Sequence, residues 1–101
     1  MRDPHEDMGH YEVLSDSRSP ECSLRLLRLS HSHRVNPHSH KNTTQIYVVL
    51  EGIAQVVIQG TRSSLRPYET VRVPSRVSHS ISSETSALVL SISVPPLQTD
   101  D

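Results

Sequence analysis

Seven of the 101 residues are histidine, and four of these fall within ten positions, HSHRVNPHSH from His31 to His40. His38 and His40 are two apart, so on an extended chain both imidazoles leave the same face and offer two nitrogen donors to one ion. Gln45 opens the apolar stretch QIYVVL five residues later, and His79, in VPSRVSHSI, is the only histidine of the C-terminal half. Three imidazoles and one side-chain carbonyl suit a single divalent transition metal, Zn, Mn, Fe, Ni or Cu, with positions left for water or substrate. His31 and His33 repeat the two-residue spacing and offer an alternative register.

Alternation along strands says what else lies near such an ion. With Gln45 inward, Tyr47 and Val49 share its face, and with His79 inward so does Ile81. Tyr47 is then the candidate catalytic group, a phenol that transfers or holds a proton beside the cation. Arg66, Arg72 and Arg76 surround the His79 segment, and Arg72 and Arg76 are candidates to clamp a carboxylate or phosphate. Gln55, which alternates with Gln59 on one strand face, is a further candidate for substrate binding. Other chemistries lack their residues: the chain has no GxGxxG, P-loop or GxSxG. Ser78 and His79 are adjacent, so on a strand they face opposite sides and cannot form a nucleophile and its base. No pair of carboxylates stands near the histidines to suggest glycoside hydrolysis.

The elements that must position these residues are strands. No window carries the i, i+3, i+4, i+7 apolar repeat of a helix. Val, Ile, Leu and Thr recur instead in short runs: Tyr11 to Leu14, Ser23 to Leu29, Gln45 to Leu50, Ile53 to Gln59, Thr70 to Val73 and Ala87 to Val94. Ser75 to Ser86 reads as a strand with loop flanks. Turn signals at Pro20, Pro37, Gly52, Gly60, Pro67 and Pro74 separate the runs. Glu51-Gly52 is short enough for a hairpin between its two apolar neighbours, and Gln59-Gly60-Thr61 closes the second. Six or more short strands in this length predict an all-β sandwich or small antiparallel barrel with little or no helix. The chain carries 10 Lys and Arg against 11 Asp and Glu, a formal charge of −1, which excludes a nucleic-acid binder driven by charge. No apolar run reaches the roughly 18 residues of a membrane span, and Met1 to Asp7 lacks a signal-peptide pattern, so a cytoplasmic protein is expected. Cys22, the only cysteine, reads as a small buried hydrophobe.

The stretch PHSHKNTTQIYVVLEG resembles the first motif of the cupin family, HxH, four residues, Glu, six residues, Gly, with His38, His40, Gln45 and Gly52 on its marks. VPSRVSHSI resembles the second motif, with Pro74 and His79 in register. The likeness runs roughly from Leu24 to Val94 and implies a small cupin β-barrel, or jelly roll, in which His38, His40, Gln45 and His79 bind the metal. GHYEVL and SLRLLRLS also resemble the opening of the mannose-6-phosphate isomerase type of barrel. The sequence departs from the family pattern at Ser32, Tyr68 and Arg76, where glycine is expected, and at Ser83, where asparagine is. Gln45 stands where most members have Glu; a neutral amide leaves the full +2 charge on the ion and favours anionic substrates. Three histidines and a glutamine also resemble the set of small cupins acting on unsaturated uronic acids, although Leu88 to Val94 offers no carboxylate for acid–base work.

These readings imply an arm over residues 1–10, a single cupin barrel over 11–94 and a tail over 95–101. They favour an enzyme, an isomerase, lyase or dioxygenase acting through one divalent metal on a small sugar or sugar acid. The other class is a non-catalytic module that binds or senses such a molecule, with a structural metal or none. Isolated cupin barrels commonly pair, so the resemblance implies a homodimer, with Ser23 to Leu29 as a candidate shared edge.

Overall fold

A computed structural model of the chain describes residues 9–30 and 34–97. The alternative histidine pair, His31 and His33, lies outside the described residues. Ten strands follow in order: β1 (Gly9–His10), β2 (Glu12–Arg18), β3 (Ser23–Ser30), β4 (Arg34–His38), β5 (Thr44–Gly52), β6 (Ala54–Ile58), β7 (Thr61–Leu65), β8 (Thr70–Val73), β9 (His79–Ser82) and β10 (Ser86–Val94). No helix occurs among the described residues, and none is therefore long and apolar enough to cross a membrane. All pairings are antiparallel, in two five-stranded sheets ordered β1-β4-β9-β6-β7 and β2-β3-β10-β5-β8. This is the expected all-β jelly roll, with the two sheets facing each other and not hydrogen-bonded into a closed barrel.

Period-two burial explains why these segments are strands. On β5 the buried residues are Gln45, Tyr47 and Val49, on β10 Ala87, Val89, Ser91 and Ser93, and on β9 His79 and Ile81. Leu29, Val49, Val56, Ile81 and Val89 meet between the sheets with essentially no exposure. Along both β5 and β10 the inward residues change from aliphatic to polar, Val49 to Gln45 and Val89 to Ser91 and Ser93. The core is therefore dry at one end and hydrogen-bonding at the other, and the histidines arrive at the polar end.

Several expectations are corrected. β5 and β6 do not form a hairpin. β5 has β10 on one side and β8 on the other, while β6 lies between β7 and β9 in the opposite sheet. Gly52 keeps its pairing with Ala87 of β10 and then, at φ 76°, turns the chain across to the other sheet. A short apolar–Gly–apolar pattern marks the reversal without saying which sheet receives the next strand. The turn at Gln59 and Gly60 does join a hairpin, β6 to β7, with both central residues at positive φ (49° and 83°) as a two-residue connection requires. β3 is flanked by β2 and β10, so Ser23 to Leu29 is not a free edge for a partner. Gly9 and His10 pair with β4. The start of the tail is tied down too: Leu97 N–H donates to Ser23 Oγ, and Pro95 O accepts from Thr43. Cys22 is half-buried in the turn after β2, where its N–H donates to Ser19 Oγ, rather than in the core.

Candidate metal centre

β4 and β9 are neighbours with His38 directly opposite His79. Pro37 lies within the register shift just before this pair, where an unpaired backbone nitrogen is harmless. His40 follows two residues later in the loop to β5, and Arg76 N–H donates to its carbonyl at 2.6 Å. The loop before β9 thus latches the loop before β5 and sets His40 beside the strand pair. Ring centroids are 4.7 Å apart for His38 and His40, 4.2 Å for His38 and His79, and 5.5 Å for His40 and His79. One donor nitrogen from each lies within 4.8 Å of the others.

Hydrogen bonds select the ring nitrogens. His38 Nδ1 is 2.7 Å from Asn36 O, and His79 Nδ1 is 2.9 Å from Val77 O. A carbonyl only accepts, so in both rings Nδ1 carries the proton and the Nε2 lone pair is left for an ion. His79 Nε2 faces Gln45 Oε1 at 2.7 Å. With a neutral imidazole the two atoms present lone pairs side by side, as two ligands of one ion would. A proton is disfavoured: burial first, and then the neighbouring imidazoles, hold His38 at about 4 against the ordinary 6.5, although its bond to Asn36 acts the other way. Burial likewise lowers His79, with its bond to Val77 opposing and His40 adding to the effect. His40 is 5% exposed, and neither of its nitrogens has a hydrogen-bond partner. Such an orphaned buried imidazole costs stability unless a ligand answers it.

Gln45 is held from three sides. Its Nε2 points to the hydroxyls of Ser91 and Ser93 on β10, at 3.5 and 3.3 Å. Tyr47 Oη donates to its Oε1 at 3.2 Å. The amide oxygen is thereby turned toward the imidazoles, and its register partner Ser93 is the next strand's inward residue.

The four expected ligands and Tyr47 are brought together; the other expected site residues are not. Arg72 pairs with Ile46 on the outward side of β8, because its neighbours Val71 and Val73 take the inward side. Gln55 alternates with buried Ala54 and Val56, faces outward and accepts from Ser64 Oγ at 2.8 Å. Arg76 is exposed and contributes its backbone. The cleft above the histidines, about 40 Å³, is lined by His38, His40, Gln45 and Tyr47, with Tyr11, Arg25, Leu27, Ser91 and Leu97. Sequence reasoning missed Arg25, Ser91 and Ser93. The signal was present in SLRLLRLS and LVLSISV, where Arg25 shares a face with Ser23, Leu27 and Leu29, and the two serines continue the buried face of Val89. Burial raises the Tyr47 hydroxyl well above its ordinary value of 10, with Tyr11 adding to the effect, so Tyr47 keeps its proton and acts as a donor.

The cupin domain family model matches residues 25–94. The chain belongs to the cupin family. No curated protein matches it. Its fold is similar to that of KdgF from Halomonas sp., with TM-score 0.77 and 20% identity, covering 98% of this chain and 87% of the other. It is also similar to TT1209 from Thermus thermophilus, with TM-score 0.77 and 21% identity over 94% of this chain and 89% of that one. A predicted oxalate decarboxylase from Thermotoga maritima has TM-score 0.67 and 22% identity over 71% and 64%.

Two of the family's glycine positions are explained by backbone conformation. Tyr68 and Arg76 replace glycine yet keep φ at 72° and 67°. The turns retain the left-handed geometry and an L side chain carries its cost. At Gly52, which is retained, a Cβ would run into the Ser86 carbonyl oxygen.

Proposed function

We propose that this cupin holds one divalent transition metal on His38, His40 and His79, with the Gln45 carbonyl as fourth ligand, and uses it on a small oxygen-rich substrate such as a sugar or sugar acid. The single observation that carries the metal is His40, buried with both ring nitrogens unanswered beside two further imidazoles, each with a donor nitrogen within 4.8 Å of the others. When bound, the ion supplies Lewis acidity or a redox centre for an isomerase, lyase or dioxygenase. The chain's own residues do the rest. Asn36 and Val77 carbonyls fix the imidazole tautomers, Ser91 and Ser93 orient Gln45, and Tyr47 offers a proton that burial keeps on its oxygen. Leu27 and Leu97 flank the cleft with apolar surface.

Elemental analysis of protein purified without an affinity tag tests the metal. Near one equivalent of a transition metal per chain is expected; protein that arrives metal-free and takes up no added Zn, Mn, Fe, Ni or Cu overturns the proposal. One observation favours a second reading, a non-catalytic binding module: no carboxylate lines the cleft among the described residues, which leaves the phenols of Tyr11 and Tyr47 as its weak side-chain acids. Metal-loaded protein that binds small acids and sugars and turns none of them over, anaerobically or in air, would select that reading.

A further inference from the structure

We infer that Arg25 is an anion anchor that restricts the cleft to small substrates carrying a carboxylate; this rests on the metal reading above. Arg25 is the one Arg, Lys, Asp or Glu among the described residues lining the cleft. It lies on the inner face in a cross-strand row, Arg25 opposite Ser91 on β10 and Ser91 opposite Tyr47 on β5. The β3 and β5 backbones are two strand spacings apart, about 10 Å. A guanidinium reaching inward from β3 and an ion held at Gln45 would thus stand on opposite sides of one small molecule. Asp16, opposite Arg25 on β2, takes the Nε of Arg25 at 3.3 Å. That ion pair engages Nε and holds the stem from the rim, and the Nη groups are the ones that would form a fork on a carboxylate. The neutral ligand set adds its part, because three imidazoles and an amide leave the charge of a divalent ion uncompensated. The cleft volume of about 40 Å³ has room for about three water-sized groups, which limits the ligand to a few heavy atoms unless the walls yield.

The test uses metal-loaded protein and calorimetric titration with glycolate, a two-carbon hydroxy acid, and with ethylene glycol, its neutral counterpart. Glycolate is expected to bind at least about tenfold tighter than ethylene glycol, and Arg25→Gln to remove about tenfold or more of that preference. The variant should keep one metal per chain and an unchanged ethylene glycol affinity, and Arg25→Lys should recover part of the loss. Asp16→Asn, which frees the guanidinium without removing it, should leave glycolate binding intact or tighter. Equal affinities for the two probes, or an Arg25→Gln variant indistinguishable from wild type, overturns the anchor. Loss of glycolate binding in Asp16→Asn as large as in Arg25→Gln would mean that the pair is structural and also overturns it. Wild-type protein without metal fails the earlier reading instead, so the two failures are separable.

Discussion

Replacing His40 with leucine, a side chain of similar volume, should reverse its effect on stability according to whether metal is present. Without metal, wild-type protein buries an imidazole whose two nitrogens have no partner, and one unanswered buried polar group costs about 1–3 kcal/mol. Leucine removes that cost and fills the space with apolar surface, so in excess chelator the variant should be more stable by about 2 kcal/mol. For a domain of this size that is a rise in Tm of roughly 8–16 °C. With metal at about 100 times its Kd, binding adds about 2.7 kcal/mol to wild type, and the variant, lacking one of three imidazoles, should gain little. The order of the two melting curves should therefore invert between chelator and metal. Thermal melts followed by circular dichroism in both conditions give the answer directly. A variant less stable than wild type in chelator by more than about 1 kcal/mol would refute the reasoning, because His40 would then be a packed core residue and not a waiting ligand.

Further outcomes follow from the same geometry. Gln45→Glu adds one negative charge to the ligand set, and should tighten metal binding and raise the pKa of metal-bound water, read by competition with a chromophoric chelator and by the pH profile of the cobalt-loaded spectrum; an unchanged affinity and profile would mean that Gln45 does not touch the ion. Metal-free protein should lose stability as pH falls from 6.5 toward about 4. Within that window the unfolded chain binds a proton at the His38 position that the folded chain refuses, so denaturant midpoints that stay flat there would contradict the burial of His38. Gly52→Ala should cost about 2–4 kcal/mol in denaturant unfolding, since its Cβ meets the Ser86 carbonyl at a φ of 76°. Arg76→Gly, by contrast, should be neutral to about 1 kcal/mol stabilising, because it relieves a left-handed L residue at the expense of backbone entropy.

Local pattern was enough for much of this protein. Runs of Val, Ile, Leu and Thr between turn signals identified β5, β8 and β10, and the spacing from His38 through Gln45 to Gly52 together with Pro74 and His79 named a candidate ligand set whose members the fold draws to one end of the core. These are properties of a strand's two-residue period and of turns, which a few neighbouring residues dictate. Pairing partners lay beyond that reach. Glu51-Gly52 marks a reversal, but whether the chain returns along its own sheet or crosses to the other depends on β8 and β10 occupying both edges of β5. In SLRLLRLS the alternation groups Arg25 with Leu27 and Leu29, but leucine falls on both faces, so only the packing of one face on the opposite sheet and the exposure of the other turned Arg25 toward the histidines. Arg72 and Gln55, close to the second motif or to the apolar runs in sequence, went outward for the same reason. Sequence alone determined which side chains could ligate an ion, because donor chemistry belongs to the residue; tertiary structure decided which of them meet, because contacts between strands far apart in the chain are set by register and by which face the core accepts.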